Sequence, residues 1–182
     1  MGVCSRYYKD RVPEGIWRRF YEALSRAGRL DDSFAGRESC SFDDFMEIVA
    51  LPDRYSWILA YGPEMAGIVY LSELCGTNAR LHFAFIPTVT KGRGIPVPVA
   101  IGRFIVASIL RDKDKQGKYI LDSLFGLTPA YNEAAIKTAS RCGGRVLGML
   151  PGACLSFGAE RNVAGVVTYY TRETAPDSWR FL

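Results

Sequence analysis

Apolar side chains recur along the chain with two different periods, and together these periods predict a mixture of helices and strands. Ile16, Trp17, Phe20, Tyr21 and Leu24 recur every three to four residues, which is the spacing of one face of an α-helix. Short runs rich in aromatic and aliphatic residues, separated by glycine, proline and asparagine, are typical of strands instead. The pattern predicts helices over residues 12–28, 41–52, 95–110 and 128–141, and strands over 56–61, 66–74, 80–86, 119–127, 145–150 and 163–172.

The order of these elements predicts a single mixed α/β domain. Three strands follow one another closely between residues 56 and 86, which favours an antiparallel meander. The later strands are separated by helices, and no repeat, low-complexity segment or interdomain linker interrupts them. We therefore expect one domain over residues 1–182, with its core in 12–172. The aromatic stripe of the first helix is interpreted as core packing, with the wall of a substrate pocket as the alternative.

A basic glycine-containing turn stands between the strand that ends at Ile86 and the helix that begins at Ile95. It reads Lys91-Gly92-Arg93-Gly94, and its glycines allow the backbone to turn sharply. A helix N-terminus carries unpaired N–H donors and a partial positive charge, so it favours a phosphate group. The turn is therefore a candidate pyrophosphate site. A plain surface turn of the same composition is the alternative, because the motif alone is not specific.

Composition and charge exclude several other classes of protein. The net charge of +4 is too small to indicate a nucleic-acid partner. Five cysteines without a CxxC pair and a single histidine argue against a metal site. The polar N-terminus predicts no signal peptide, and no apolar run is long enough to cross a membrane. We expect a cytoplasmic protein with reduced cysteines and with neither a nucleic-acid nor a membrane partner.

The segment from Leu81 to Leu110 resembles the GNAT superfamily of N-acetyltransferases. In that family a strand, a glycine turn of pattern R/Q-x-x-G-x-G/A and a helix hold the pyrophosphate of acetyl-coenzyme A. Here Lys91-Gly92-Arg93-Gly94 is similar to the end of the pattern, and Val89 stands at its first position, where the family has a polar residue.

A second segment, from Leu127 to Gly148, is similar to the family's N-x-x-A…G-F region. Asn132 matches the asparagine that contacts the cofactor in many members, and Gly144 stands where phenylalanine is common. The Thr-Pro-x-x-Asn opening also looks like acetyltransferase-like proteins of tailed phages and prophages. The resemblance implies a twisted, mostly antiparallel mixed sheet flanked by helices. Within this sheet, strands 81–86 and 119–125 run parallel and splay apart.

The resemblance also implies a cofactor, a reaction and the residues that bind the cofactor. The cofactor is acetyl-CoA, and the reaction is acetyl transfer to the amine of a small molecule or a peptide. A homodimer is a further expectation. A backbone N–H of Phe85 or Ile86 would polarise the thioester carbonyl. The remaining cofactor-binding residues are Lys91, Gly92, Arg93, Gly94, Ile95 and Asn132.

Catalysis is the least determined part of the prediction. The family commonly has a tyrosine about seven residues after the asparagine, and here that position is Ala139. Tyr131 is the candidate replacement for this general acid, and Glu73 is the candidate base. His82 is interpreted as a core or sheet-face histidine. The missing tyrosine leaves an alternative open, in which a GNAT-fold protein with weak or lost catalysis serves as a binding or assembly module.

Overall fold

Seven strands and four α-helices form the ordered framework of the computed structural model, which describes residues 4–28, 30, 41–50, 55–61, 64–86, 96–154 and 162–181. The helices are α1 (Glu14–Arg26), α2 (Phe42–Ala50), α3 (Val97–Ile109) and α4 (Glu133–Arg141). The strands are β1 (Cys4–Tyr8), β2 (Tyr55–Tyr61), β3 (Glu64–Cys75), β4 (Asn78–Phe85), β5 (Ser123–Pro129), β6 (Arg145–Cys154) and β7 (Val163–Thr171). Short 3-10 helices follow β1 and β7, at Lys9–Arg11 and Asp177–Phe181.

All seven strands belong to one sheet, in the order β1-β2-β3-β4-β5-β7-β6. Five of the strand pairs are antiparallel, and β4 with β5 is the parallel one. The connection between β4 and β5 contains α3, and a crossover of this kind lets consecutive strands run parallel. The predicted mixed, mostly antiparallel sheet with one parallel strand pair is therefore confirmed.

The aromatic stripe of α1 is part of the core. Trp17, Phe20 and Leu24 are buried. Phe45 of α2 is also buried, with its ring centroid 6.1 Å from the rings of both Trp17 and Phe20. The interpretation of the stripe as core packing is confirmed, because these rings pack against one another within the hydrophobic core.

The first strand, β1, was not predicted. It pairs antiparallel with β2, and its Tyr8 lies opposite Trp57 with ring centroids 5.5 Å apart. The segment Cys4–Tyr8 is short and partly polar, so its local sequence carries little strand signal. It forms a strand because it pairs with β2, which lies about fifty residues later in the chain. A local sequence pattern does not reveal such a distant partner.

The predicted start of α4 was wrong by several residues. Thr128 and Pro129 were predicted to cap and open the helix, but both belong to β5, where they lie opposite Val166 and Gly165 of β7. A proline is tolerated at a strand end, where no ladder N–H is required. The predicted strand 119–127 is displaced in the same direction, because regular pairing begins only at Ser123.

No helix in the described part of the chain is long and apolar enough to cross a membrane.

Candidate functional site

The parallel strands β4 and β5 separate after a short paired region. Their register runs through three pairs, from Asn78 opposite Ser123 to Arg80 opposite Phe125. Beyond Arg80, β4 continues to pair with β3, and β5 continues to pair with β7. The carboxyl-terminal halves of β4 and β5 therefore leave a gap in the middle of the sheet, as the family resemblance implied.

A cavity of about 350 Å³ occupies this gap. Its walls are residues 81–85 of β4, residues 126–129 of β5 and the face of α4 that includes Ala135 and Ala139. Thr168 and Tyr170 of β7 also line the cavity, and so does Pro98 in the first turn of α3. The cavity is thus open between two strand edges and is bordered by two helices.

The backbone of β4 presents polar groups to this cavity. The N–H of Ile86 donates to the Ala66 carbonyl at 2.9 Å, which makes Gly67 and Phe85 a non-hydrogen-bonded pair of the β3–β4 ladder. Because the pattern alternates along the strand, Phe83 and Phe85 direct their N–H and C=O groups away from β3, toward β5. An extended ligand can pair with exposed strand groups of this kind.

The two predicted oxyanion donors therefore differ in their placement. The N–H of Phe85 faces the gap, and Phe85 lines the cavity. The N–H of Ile86 is already used by the hydrogen bond to Ala66. Between the two, Phe85 is the residue whose backbone donor a ligand in the gap could reach.

The N-terminus of α3 borders the cavity next to the predicted phosphate-binding turn. Within the described residues, the N-cap Pro96 makes no side-chain capping bond, and the first turn of α3 contains no acidic residue. Neither Pro96 nor the first turn of α3 therefore places an anion at the positive end of the helix dipole. The turn residues themselves, Lys91 to Ile95, lie outside the described part of the chain.

Asn132 lies where the sequence predicted, at the cavity and at the start of α4. Its Oδ1 accepts a hydrogen bond from the N–H of Ala135 at 3.1 Å, so Asn132 is the N-cap of α4. Asn132 also lines the cavity. The side-chain oxygen is therefore engaged in capping the helix, and the amide NH₂ is the group that could contact a ligand.

The structure does not bring the two predicted catalytic side chains to the cavity. Glu73 lies near the end of β3, with its carboxylate 2.5 Å from the guanidinium of Arg80. This is the end of the sheet where β4 and β5 are still paired. Tyr131 is 56% exposed and is not among the residues that line the cavity.

Two titratable side chains do line the cavity among the described residues, namely His82 and Tyr170. His82 is half-buried, and its Nε2 lies 2.8 Å from Ser72 Oγ. Tyr170 is buried, and this burial raises its pKa above the ordinary value, with the nearby Thr168 hydroxyl only partly opposing the rise. His82 was predicted to be a core or sheet-face histidine but not to line the cavity, and Tyr170 reaches the cavity only through the pairing of β7 with β5.

The described residues contain no group of three or more His, Cys, Asp or Glu side chains that could hold a metal ion. Cys142 is buried against Gly102 of α3, and burial raises the pKa of its thiol to about 12. A thiol with such a pKa stays protonated and unreactive at neutral pH.

No protein-family model matches the sequence, and no curated protein matches it. Solved structures do match in fold. A spermidine N-acetyltransferase from Vibrio cholerae in complex with CoA and spermine has 14% sequence identity and a TM-score of 0.68, over 94% of this chain and 97% of that one. The dodecameric structure of spermidine N-acetyltransferase from the same organism, in an intermediate state, has 14% identity and a TM-score of 0.60, over 93% and 94%. The predicted GNAT fold is confirmed.

Proposed function

We propose that this protein is an acetyl-CoA-dependent N-acetyltransferase that acts on the amine of a small molecule or a peptide. The observation that carries the proposal is the gap between β4 and β5, where backbone groups of β4 that face away from β3 line a cavity next to the N-terminus of α3, which Pro96 does not cap with a side chain. The similarity in fold to N-acetyltransferases, one of them in complex with CoA, supports the same function.

The cavity fits the chemistry of coenzyme A. Its pantetheine arm is a chain with two secondary amides, and the Phe83 N–H with the carbonyls of Phe83 and Phe85 offers a matching donor and matching acceptors. In this proposal the pyrophosphate binds at Lys91–Gly94 and the N-terminus of α3. Asn132 contributes its amide NH₂ beside the arm.

Acetyl-CoA would supply the acetyl group as a thioester, and the residues of the chain would assist its transfer. The N–H of Phe85 would donate a hydrogen bond to the carbonyl oxygen of the thioester. His82 would accept the proton that the amine loses, and coenzyme A would leave as its thiolate when the C–S bond breaks. We assign the role of base to His82 rather than to Glu73. His82 lines the cavity, whereas Glu73 is ion-paired with Arg80 at the end of the sheet where β4 and β5 are still paired.

Calorimetric titration with acetyl-CoA tests the cofactor site. Gly94→Asp adds a side chain and a negative charge at the proposed pyrophosphate site, so its affinity should fall at least tenfold, which is about 1.4 kcal/mol. Gly15→Asp is the matched control: Gly15 is exposed in α1, and a Cβ there meets no atom within 4 Å. This control should bind acetyl-CoA like the wild type. Equal affinity in all three proteins would refute the assignment of the turn.

Transfer is tested by thiol release over a panel of amines. The panel includes spermidine and spermine, because enzymes of similar fold act on spermidine, together with amino acids, aminoglycosides and peptides with free N-termini. We expect release of coenzyme A with at least one of these classes. Tight binding of acetyl-CoA without release on any amine would favour the catalytically inactive binding module instead.

The proposed assembly is a homodimer, supported by the edge strand β6. Its side chains Val146, Leu147, Met149 and Leu150 are 52–67% exposed, and no charged residue follows Arg145 in the strand. An edge strand with exposed apolar side chains tends to pair with another chain. Light scattering at micromolar concentration should give twice the 20.2 kDa mass of the chain, and a monomeric mass would contradict the dimer.

A further inference from the structure

The end of α4 is held against α3 by close contacts. A Cβ at Gly102 of α3 would overlap Cys142 Sγ, so the small glycine lets the two helices approach each other. The Cys142 thiol also donates to the Val99 carbonyl of α3, with an S···O distance of 3.7 Å. Along its length, α4 lines the cavity through residues that include Ala135 and Thr138. Because α4 is one continuous helix of nine residues, its attachment to α3 influences how it borders the cavity.

Arg103 of α3 completes the capping of the C-terminus of α4. The carbonyls of residues 138–140 accept hydrogen bonds from the backbone N–H groups of residues 142–144. The next carbonyl, that of Arg141, accepts from Arg103 Nε at 2.9 Å. The last carbonyls of a helix need partners of this kind, and a cation beside them also interacts favourably with the negative end of the helix dipole. One helix thus supplies a charged cap for the other.

The C-terminal segment of the chain packs against the same place. The Arg103 guanidinium lies over the ring of Trp179, 4.8 Å from its centroid, and Trp179 belongs to the 3-10 helix Asp177–Phe181. Gly143, in the turn that ends α4, has a φ of 90°, and a Cβ there would come within 3.0 Å of the Trp179 ring. A cation–π contact of this kind favours one position of the guanidinium. We call Arg103, the Arg141 carbonyl and the Trp179 ring the Arg103 clamp.

We propose that Arg103 is a positioning residue, which holds α4 at the distance from α3 that cofactor binding requires. The inference rests on the proposed function, because both helices border the cavity assigned to acetyl-CoA. Arg103 is not among the residues that line this cavity, so it acts through α4. Without the clamp, α4 also occupies displaced positions, and the ligand binds only the fraction of molecules in the competent one. The hydrogen bond limits the resulting loss of affinity to about twofold to tenfold.

Arg103→Met tests the clamp, because methionine keeps an apolar stem and removes the guanidinium. KM for acetyl-CoA should rise by about twofold to tenfold. The kcat at saturating acetyl-CoA should be unchanged, because α4 is in the competent position in every molecule that has bound the ligand. Calorimetry should show the same loss of affinity. Arg103→Lys keeps a cation over Trp179 and a donor for the Arg141 carbonyl, so it should recover most of the affinity.

Arg18→Met is the matched control. Arg18 of α1 also places its guanidinium over an aromatic ring, that of Phe42 in α2, 4.0 Å from the centroid. Neither Arg18 nor Phe42 is among the residues that line the cavity. This variant should bind acetyl-CoA with wild-type affinity. An equal loss of affinity in Arg18→Met and Arg103→Met would overturn the clamp, because general destabilisation would then account for both.

Hydrogen exchange shows whether α4 itself is displaced. Without ligand, the amides of Glu133–Arg141 should exchange faster in Arg103→Met than in the wild type, while those of α1 exchange alike. Saturating acetyl-CoA should restore wild-type exchange in α4, because the ligand and the clamp favour the same position.

Three results would decide against the clamp. Wild-type affinity of Arg103→Met for acetyl-CoA, a fall in kcat with KM unchanged, or unaltered exchange of α4 in the free variant would each overturn it while leaving the proposed function intact. A wild-type protein that does not bind acetyl-CoA would overturn the clamp and the proposed function together.

Discussion

His82 Nε2 and Ser72 Oγ lie 2.8 Å apart, at hydrogen-bonding distance across the antiparallel strands β4 and β3. The His82 ring also stacks on Tyr70, with centroids 4.3 Å apart and planes inclined by 6°. These two contacts hold the imidazole in one orientation at the wall of the cavity. Imidazole is the side chain whose ordinary pKa is best suited to proton transfer near neutral pH.

The first prediction follows from this placement of His82. If His82 accepts the proton of the attacking amine, His82→Gln should lower kcat/KM for acetyl transfer by about 10²-fold, within the usual range for general acid–base catalysis. The affinity for acetyl-CoA should be unchanged, and the loss of rate should become smaller at high pH, where the amine is already deprotonated. The measurement is thiol release as a function of pH, with calorimetry for binding.

Glu73→Gln is the comparison for this experiment. The carboxylate of Glu73 is 55% exposed and pairs with Arg80, away from the cavity. An exposed ion pair of this kind contributes little to stability, about 0–1 kcal/mol, so the variant should fold and turn over like the wild type. A large loss of rate in Glu73→Gln with normal turnover in His82→Gln would reverse the assignment of the base.

The second prediction separates the two roles of Asn132. Asn132→Ser keeps an N-cap oxygen for Ala135 but removes the amide NH₂, whereas Asn132→Ala removes both. The alanine variant should lose about 1 kcal/mol of unfolding free energy, and the serine variant much less. Both should lose affinity for acetyl-CoA by about twofold to tenfold. Affinity is measured by calorimetry and stability by urea denaturation. If Asn132→Ser binds acetyl-CoA with wild-type affinity, Asn132 caps the helix and does not contact the cofactor.

The third prediction concerns stability at alkaline pH. Burial raises the pKa of Cys142 from an ordinary 9.0 to about 12, so the unfolded chain releases this proton at a lower pH than the folded protein. The free energy of unfolding should therefore be independent of this group below about pH 9 and should fall as the pH rises from 9 toward 12. Burial raises the pKa of Tyr170 as well, which acts in the same direction above its ordinary value of 10.0.

Cys142→Ala provides the measurement. The melting temperatures of wild type and variant are compared between pH 7 and pH 11, and their difference should shift in favour of the variant above pH 9. A difference that does not change with pH would show that the folded and unfolded thiols titrate alike. Labelling with iodoacetamide at pH 7.5 gives an independent check, since exposed Cys75 should react and buried Cys142 should not.

Much of the fold could be predicted because local pattern and connectivity agree along the middle of the chain. Strand periodicity with short glycine turns predicts the meander of β2, β3 and β4, whereas the parallel pair of β4 and β5 was implied by the family resemblance. The start of α4 was placed too early because Thr128-Pro129 suits a helix start as well as a strand end. Only the pairing with β7 distinguishes the two.

The candidate site was harder to predict because its side chains meet through long-range pairing. Asn132 could be found from its motif, since its role is local. Thr168 and Tyr170 reach the cavity only because β7 inserts between β5 and β6, and neither carries a local signal of this. Glu73 was chosen from its position near a strand end, but which end of β4 and β5 opens depends on the register of their pairing.

The most direct test of the central claim is a crystal structure of the protein grown with acetyl-CoA or coenzyme A. We predict electron density for the pantetheine arm between β4 and β5, hydrogen-bonded to the backbone of Phe83 and Phe85, with the pyrophosphate at the N-terminus of α3. Density for the ligand elsewhere on the protein, or an empty gap at saturating ligand concentration, would contradict the account.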